Sequence, residues 1–321
     1  MTRRTLRMVV EFDGVNFHGW QRQSGVRTVQ GDIESTLQFV LQHRVRLTGV
    51  GRTDSGCHAL AHAASFHTSR PLPATQLKAA LNSLLGRDIR VHALEDAPPG
   101  FNARWSARWR DYSYALVREP SALLRNRAHR PFVWPKLEAL AAAIRPLTGE
   151  IDAGGLANRS PDNKQPLCRI LRIGWQEWSG GLIFRIRADH FLYRMVRTIV
   201  GTCLEIGQER WPPDRIMEIL DTGDRRLAGP PAPPDGLYFS GAGYEPLWPA
   251  AAGPPVTPWW GATRDLSFVD DEQTGDTRSK SNGKAHDAED DGESPVEGRS
   301  RNGAEGAAAP SVISRRGTTK P

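Results

Sequence analysis

The sequence predicts an α+β fold in which two subdomains of strands and helices surround one sheet system, with a cleft between them. Strand-like and helix-like segments follow one another in similar order in two halves of the chain, without a direct repeat. Gly- and Pro-rich turn signals separate those segments. With 39% hydrophobic and 8% aromatic residues in 321, the chain has the material for a core.

Each element follows from its pattern. Residues 7–12 read as a strand that ends at the turn signal Asp13-Gly14. Val29, Ile33, Leu37, Val40 and Leu41 recur at helical spacing and predict an amphipathic helix over 28–43. Residues 45–50 and 63–67 are short strands around a Gly-rich loop, and Leu77, Leu81, Leu84 and Leu85 mark a second helix. Residues 89–94 and 112–117 are strands. In the second half, 137–147 is helical, and 169–178 pairs with 182–188 across Ser179-Gly180-Gly181. A long helical segment covers 191–206, a short one 216–220, and a last strand 238–244. Residues 229–235 are loop, because consecutive prolines lack backbone donors.

The chain therefore divides into an N-terminal α+β subdomain with the Gly-rich loop (1–110), a C-terminal α+β subdomain (111–261) and a polar, acidic tail (262–321). The tail has too few large apolar residues to offset its ordering entropy and is expected to be disordered. The formal charge of +6 is uneven. Residues 1–261 hold 33 basic and 24 acidic residues, a net of +9, against −3 for the remainder. A basic body favours an anionic partner, nucleic acid before phosphorylated small molecules. Cys57, Cys168 and Cys203 are far apart and odd in number, which argues against a disulfide framework and for a reducing cytoplasm. No apolar run is long enough for a transmembrane helix, and none follows the basic start, so neither a membrane span nor a secretory signal is expected.

Four segments carry chemistry. In Gly49–His58, glycines flank Arg52-Thr53-Asp54-Ser55, which lets the backbone present Arg52 and Asp54 at a surface. A nearby cation would hold the carboxylate ionised; an ordinary Asx-turn with a surface ion pair fits the same residues. Asp13–Gln23 mixes aromatics, amides and a cation, the groups that stack on bases and contact phosphates. A structural loop with Phe17 and Trp20 packed inward fits equally. Phe101–Tyr114 interleaves arginines with Trp105 and Trp109 and ends in Tyr112-Ser113-Tyr114, whose tyrosines share a strand face. One could stack on a base, or the strand could be half-buried and amphipathic. In Asp189–Gly201, Arg194 and Arg197 are three apart on a helical pattern and matter only if they face the cleft.

In this order the segments resemble the tRNA pseudouridine synthase A family. The resemblance rests on Glu11–Gly14, Gly19–Gln23, Thr28–Gln30, Gly51–His58, Phe101–Arg104, Arg110–Tyr114, Phe191–Arg197 and Pro233–Tyr238, within residues 5–245. It implies two ferredoxin-like α/β subdomains around an extended antiparallel sheet with a central catalytic cleft. It further implies an isomerase that turns uridine into pseudouridine in the anticodon stem-loop of tRNA, typically at positions 38 to 40. No cofactor and no metal are implied; a cytoplasmic homodimer with tRNA as partner is. Asp54 matches the family's catalytic aspartate, and Arg52 and Arg197 match its active-site arginines. Tyr112 matches the tyrosine that stacks on the target base, and Leu237 an apolar residue lining the pocket. Trp20, Gln21, Arg22, Arg104 and Arg110 are expected to contact RNA. The chain departs from the family pattern over 149–167 and has Cys57 where an aliphatic residue is usual.

Two other classes compete. A catalytically silent tRNA-binding protein of the same fold would be favoured by loss of Asp54, Tyr112 or Arg197, all of which are present. A metal-dependent hydrolase would use Cys57, His58 and His62, but Ala59 stands where the metalloprotease pattern needs glutamate. On a strand, those two histidines would also lie ~13 Å apart.

Overall fold

The alternating apolar residues of strand β1 (Arg4–Phe12) bury Leu6, Met8 and Val10, and the strand is paired on both sides. Its neighbours are the antiparallel strands β3 (His58–Thr68) and β4 (Ile89–Asp96), and the two-residue β2 (Thr48–Gly49) pairs with β3. Helix α1 (Val29–Leu41) turns Val29, Ile33, Leu37 and Leu41 inward, as its spacing requires. Thr28 caps it, its hydroxyl accepting from the Gly31 N–H at 3.2 Å. Helix α2 (Ala74–Leu84) completes the first half and buries Leu77 and Leu81.

The computed structural model describes residues 3–160, 165–245 and 257–271. In the second half, β5 (Trp109–Val117) lies between β8 (Gly181–Ala188) and β9 (Leu237–Gly243). Strand β7 (Leu167–Trp178) forms the expected hairpin with β8, and β6 (Gly149–Asp152) adds to β7 within the stretch that departs from the family pattern. Helices α3 (Leu137–Ile144), α4 (Met195–Gly207) and α5 (Arg215–Thr222) complete this half. The described residues fall in one compact unit. No helix among the described residues is long and apolar enough to cross a membrane.

The sheet runs β10-β7-β8-β5-β9-β3-β1-β4, with β10 (Arg264–Asp270) at one edge. Among the described residues every strand pairing is antiparallel except β3 with β9, where His58 faces Tyr238 and Ala59 faces Phe239. That short parallel joint is the seam between the halves, and the loop carrying Asp54 runs directly into it. The boundary expected at residue 110 falls inside β5. Along β5, Tyr112, Tyr114 and Leu116 enter the main core, while Ala115 and Val117 join a smaller cluster on the other face.

Two expectations fail. The helix expected over 191–206 starts only at Met195, because Arg194 takes a left-handed backbone conformation (φ 60°) that closes the preceding turn. The tail expected to be disordered from 262 instead contributes β10, which pairs antiparallel with β7. Composition averaged over the whole tail hid the apolar residues of this short run. Leu266 and Val269 pack on the main core, and the Arg172 guanidinium lies 4.1 Å over the Phe268 ring. Arg169 meets Asp271 at 2.5 Å, and the Gln176 amide donates to Asp265 at 2.5 Å. Just before β10, Trp260 closes the smaller cluster against Tyr238, and the Trp259 indole donates to the Tyr238 hydroxyl at 2.9 Å. The rest of that expected tail, 272–321, lies outside the described residues.

Residues 257–271 are thus part of the fold. Trp260→Ala is expected to cost about 3–5 kcal/mol, the usual price of deleting a buried Trp, and to lower the melting temperature by on the order of 10 °C. An unchanged melting temperature would show that residues 257–271 do not support the body.

Candidate active site

The Gly-rich loop between β2 and β3 is built on the loop that follows β1. The Cys57 N–H donates to the Asp54 carbonyl at 3.2 Å, closing the turn. The Trp20 N–H donates to the Thr53 carbonyl (3.2 Å), and the Gly56 N–H and Ser55 hydroxyl donate to the Phe17 carbonyl (3.3 and 3.2 Å). The contact demands glycine. Gly19 has φ +83°, and a Cβ there would stand 2.5 Å from the Thr53 carbonyl oxygen. A Cβ on Gly14 would fall 1.9 Å from the Cys57 carbonyl oxygen.

This arrangement corrects the expectation for Trp20. Its ring, like that of Phe17, is 1% exposed. It stacks on the His62 imidazole at 3.8 Å, so Phe17 and Trp20 brace the Asp54 loop from inside and are withdrawn from the surface. His62 is buried, donates from Nε2 to the Gly51 carbonyl at 3.1 Å, and has its pKa lowered to about 4 by burial. His58 reaches the Asn126 carbonyl at 2.9 Å and stacks on Tyr238. Burial pushes the Cys57 thiol up to about 12. Among the described residues, no three His, Cys, Asp or Glu side chains lie close enough together to hold a metal ion.

Asp54 meets its cations across the seam. Arg197 Nη1 lies 2.7 Å from Asp54 Oδ2, and Arg194 Nε 3.6 Å from the same oxygen. Arg52, two residues before Asp54, donates its Nε to Gln21 Oε1 at 3.2 Å. Arg197 is placed by the proline loop. Its Nε donates to the Ala232 carbonyl (2.7 Å), while the Ala232 N–H donates to the Arg197 carbonyl (2.9 Å). That loop sits directly on α4, since a Cβ on Gly201 would be 1.9 Å from the Pro230 carbonyl oxygen. The Gly229 N–H donates to the Thr202 hydroxyl at 2.9 Å. The consecutive prolines thus fix the guanidinium that pairs with Asp54.

Tyr112 lies edge-to-face with Phe191 (4.9 Å) and Phe239 (5.1 Å) and is 9% exposed. Burial, reinforced by the nearby Cys57 and Asp54, raises its hydroxyl pKa well above the usual tyrosine value. The Tyr114 hydroxyl donates to the Pro233 carbonyl at 2.8 Å, tying β5 to the same proline loop. Leu237 opens β9 and is buried in the main core.

The other expected RNA contacts scatter. Arg22 pairs with Glu34 at 3.0 Å with its side chain still mostly exposed. Arg104 is exposed and lies 4.9 Å over the Trp105 ring, itself exposed. Arg110 is a structural brace, donating to the carbonyls of Asp189 (2.6 Å), Arg104 (2.7 Å) and Ala107 (3.0 Å). With three carbonyls held, it has little left to offer a phosphate, which corrects its expected role. Arg194 emerges as a cleft residue that helical spacing alone leaves undecided. Its left-handed backbone costs a non-glycine residue about 1–2 kcal/mol.

The arrangement is a carboxylate from one half, held by guanidinium from the other, near Tyr112, against whose ring Phe191 and Phe239 pack edge-on. It can present a carboxylate to a sugar carbon or proton close to buried aromatic rings. The family model for tRNA pseudouridine synthase matches residues 8–106 and 143–245, which include Asp54, Arg194, Arg197 and Leu237. The chain is 38% identical over 239 residues to tRNA pseudouridine synthase A of Chlorobaculum tepidum, covering 74% of this chain and 97% of that protein. It is also 38% identical to tRNA pseudouridine synthase A of Chlorobium limicola, over 75% of this chain and all of the relative. The protein of that name from Acetivibrio thermocellus is 34% identical over 74% and 98%. The chain belongs to the tRNA pseudouridine synthase family, a family of isomerases.

Proposed function

We propose that the chain isomerises uridine to pseudouridine in the anticodon stem-loop of tRNA, with Asp54 as the carboxylate that assists. The observation that carries this reading is the Asp54–Arg197 contact of 2.7 Å, made between the two halves at the head of the sheet seam. The reaction breaks the N1–C1′ bond, turns the base and joins C5 to C1′. The C5 proton leaves and N1 takes one up, so atoms balance and no redox partner is needed. Asp54 either attacks C1′ or removes a sugar proton to give a glycal. Arg197 holds the carboxylate in place. The aromatic rings hold the detached uracil until it rejoins. Because Tyr112 is nearly covered, the flipped base enters against its ring by displacing the half-buried Phe191. A cytoplasmic homodimer belongs to the same reading.

Mapping pseudouridines in tRNA from cells with and without this protein tests the target. Loss confined to the anticodon arm is expected; loss elsewhere would reassign the substrate. For the aromatic rings, Tyr112→Phe is expected to remain folded and lose little, since the ring is kept. Tyr112→Ala is expected to lose on the order of 10-fold or more in kcat/KM, because base stacking contributes ~1–3 kcal/mol. Equal activity of the two variants would remove Tyr112 from base binding.

A further inference from the structure

We infer that Arg194 is a phosphate-binding residue of the cleft, which takes a backbone phosphodiester beside the target nucleotide; this rests on the proposed reaction on tRNA. Three observations carry it. First, the Asp54 carboxylate already has a close partner in Arg197 at 2.7 Å, so the second guanidinium, at 3.6 Å, is not required to neutralise it. The three groups together leave one positive charge over at the cleft. Second, Arg194 Nε is buried without a hydrogen-bond partner, while the side chain as a whole keeps 37% of its surface exposed. The outer guanidinium nitrogens can therefore meet a ligand from solvent, and the Tyr193 ring 4.9 Å away supports the cation.

Third, Arg194 sits in a left-handed conformation (φ 60°, ψ 13°) immediately before α4. Glycine or asparagine would take this backbone at lower cost. Strain of this kind persists where the residue in place supplies something the easier residue cannot. Here that is a guanidinium beside Asp54. Extruding a nucleotide brings its flanking phosphates down with it, and a fork-shaped cation suits a phosphate. Arg197 is placed for Asp54 rather than for a ligand: its Nη1 and Nε are engaged by Asp54 and the Ala232 carbonyl, and its side chain keeps only 11% of its surface exposed.

The test uses the full-length chain with an unmodified tRNA transcript and compares Arg194→Gly, Arg194→Gln and Arg194→Lys with the parent. Arg194→Gly relieves the backbone, so its melting temperature is expected to equal or exceed that of the parent. Its kcat/KM is expected to fall by about 10-fold or more, and the slope of log Kd for tRNA against log salt to fall by about one phosphate contact. Arg194→Gln is expected to behave alike in binding, and Arg194→Lys to restore the salt slope with only part of the rate. A parent salt slope in both Gly and Gln variants would overturn the assignment, whatever their rates. So would a Gly variant that loses stability and rate together while the slope holds, since that pattern marks a purely structural residue. If the parent itself makes no pseudouridine, the proposed reaction fails, and the salt slope still decides whether Arg194 meets a phosphate.

Discussion

Asp54→Asn is expected to abolish pseudouridine formation, with a single-turnover loss on the order of 10³-fold or more, while tRNA binding is largely kept. The amide keeps the shape of the carboxylate and an oxygen that can accept from Arg197 Nη1, now 2.7 Å from Asp54 Oδ2. The loop is also held independently of that side chain, through the Thr53 and Phe17 carbonyls. The amide can neither attack C1′ nor take a sugar proton, so loss of rate with retained fold is the signature. A variant that converts uridine at the parent rate would remove Asp54 from the chemistry.

Arg197→Met is expected to have the second-largest effect, a loss of ~10²-fold or more in kcat/KM, because the carboxylate loses its closest cation. Stability should fall by ~3 kcal/mol or less, short of a fully buried pair because Asp54 keeps 21% of its surface. The proline loop is expected to loosen as well, since Arg197 Nε holds the Ala232 carbonyl. Arg197→Lys should recover part of the rate, a single ammonium being unable to reach Asp54 and Ala232 in the same fork. Combined with Asp54→Asn, the methionine change should add little further loss, because the two groups act as a unit. Full activity in Arg197→Met would show that the cross-seam pair is only structural.

Much of the fold was legible in the sequence because it rests on local periodicity. Helix α1 and the β7–β8 hairpin lie where their apolar spacing and turn signal put them. The two tyrosines of β5 share the core face that alternation requires. What was not legible depends on contacts distant in the chain. Arg52 stands two residues from Asp54, whereas Arg197 stands 143 away, and only the folded seam shows which one holds the carboxylate at 2.7 Å. Trp20 has the composition of an RNA platform and the environment of a core residue, and a single sequence does not distinguish the two. The left-handed turn at Arg194 follows no propensity, which is why a continuous helix was expected there. Strand β10 escaped for a different reason, because its short apolar run borders a long polar stretch.

Within the site, the sequence motifs named the residues without their division of labour. The aromatic loop after β1 braces, the proline loop aims Arg197, and Arg110 ties three carbonyls together. Asp54, Arg194 and Arg197 bring a carboxylate and two guanidinium groups into contact across the seam.

The most direct measurement of the central claim is product formation by the purified parent chain on an unmodified tRNA transcript, with chelator present and nothing else added. Pseudouridine in the anticodon arm, accumulating to a stoichiometric amount, is the result expected from a carboxylate-assisted isomerase. A chain that binds the transcript tightly and leaves every uridine unchanged would contradict the account and make it a tRNA-binding protein on the same fold.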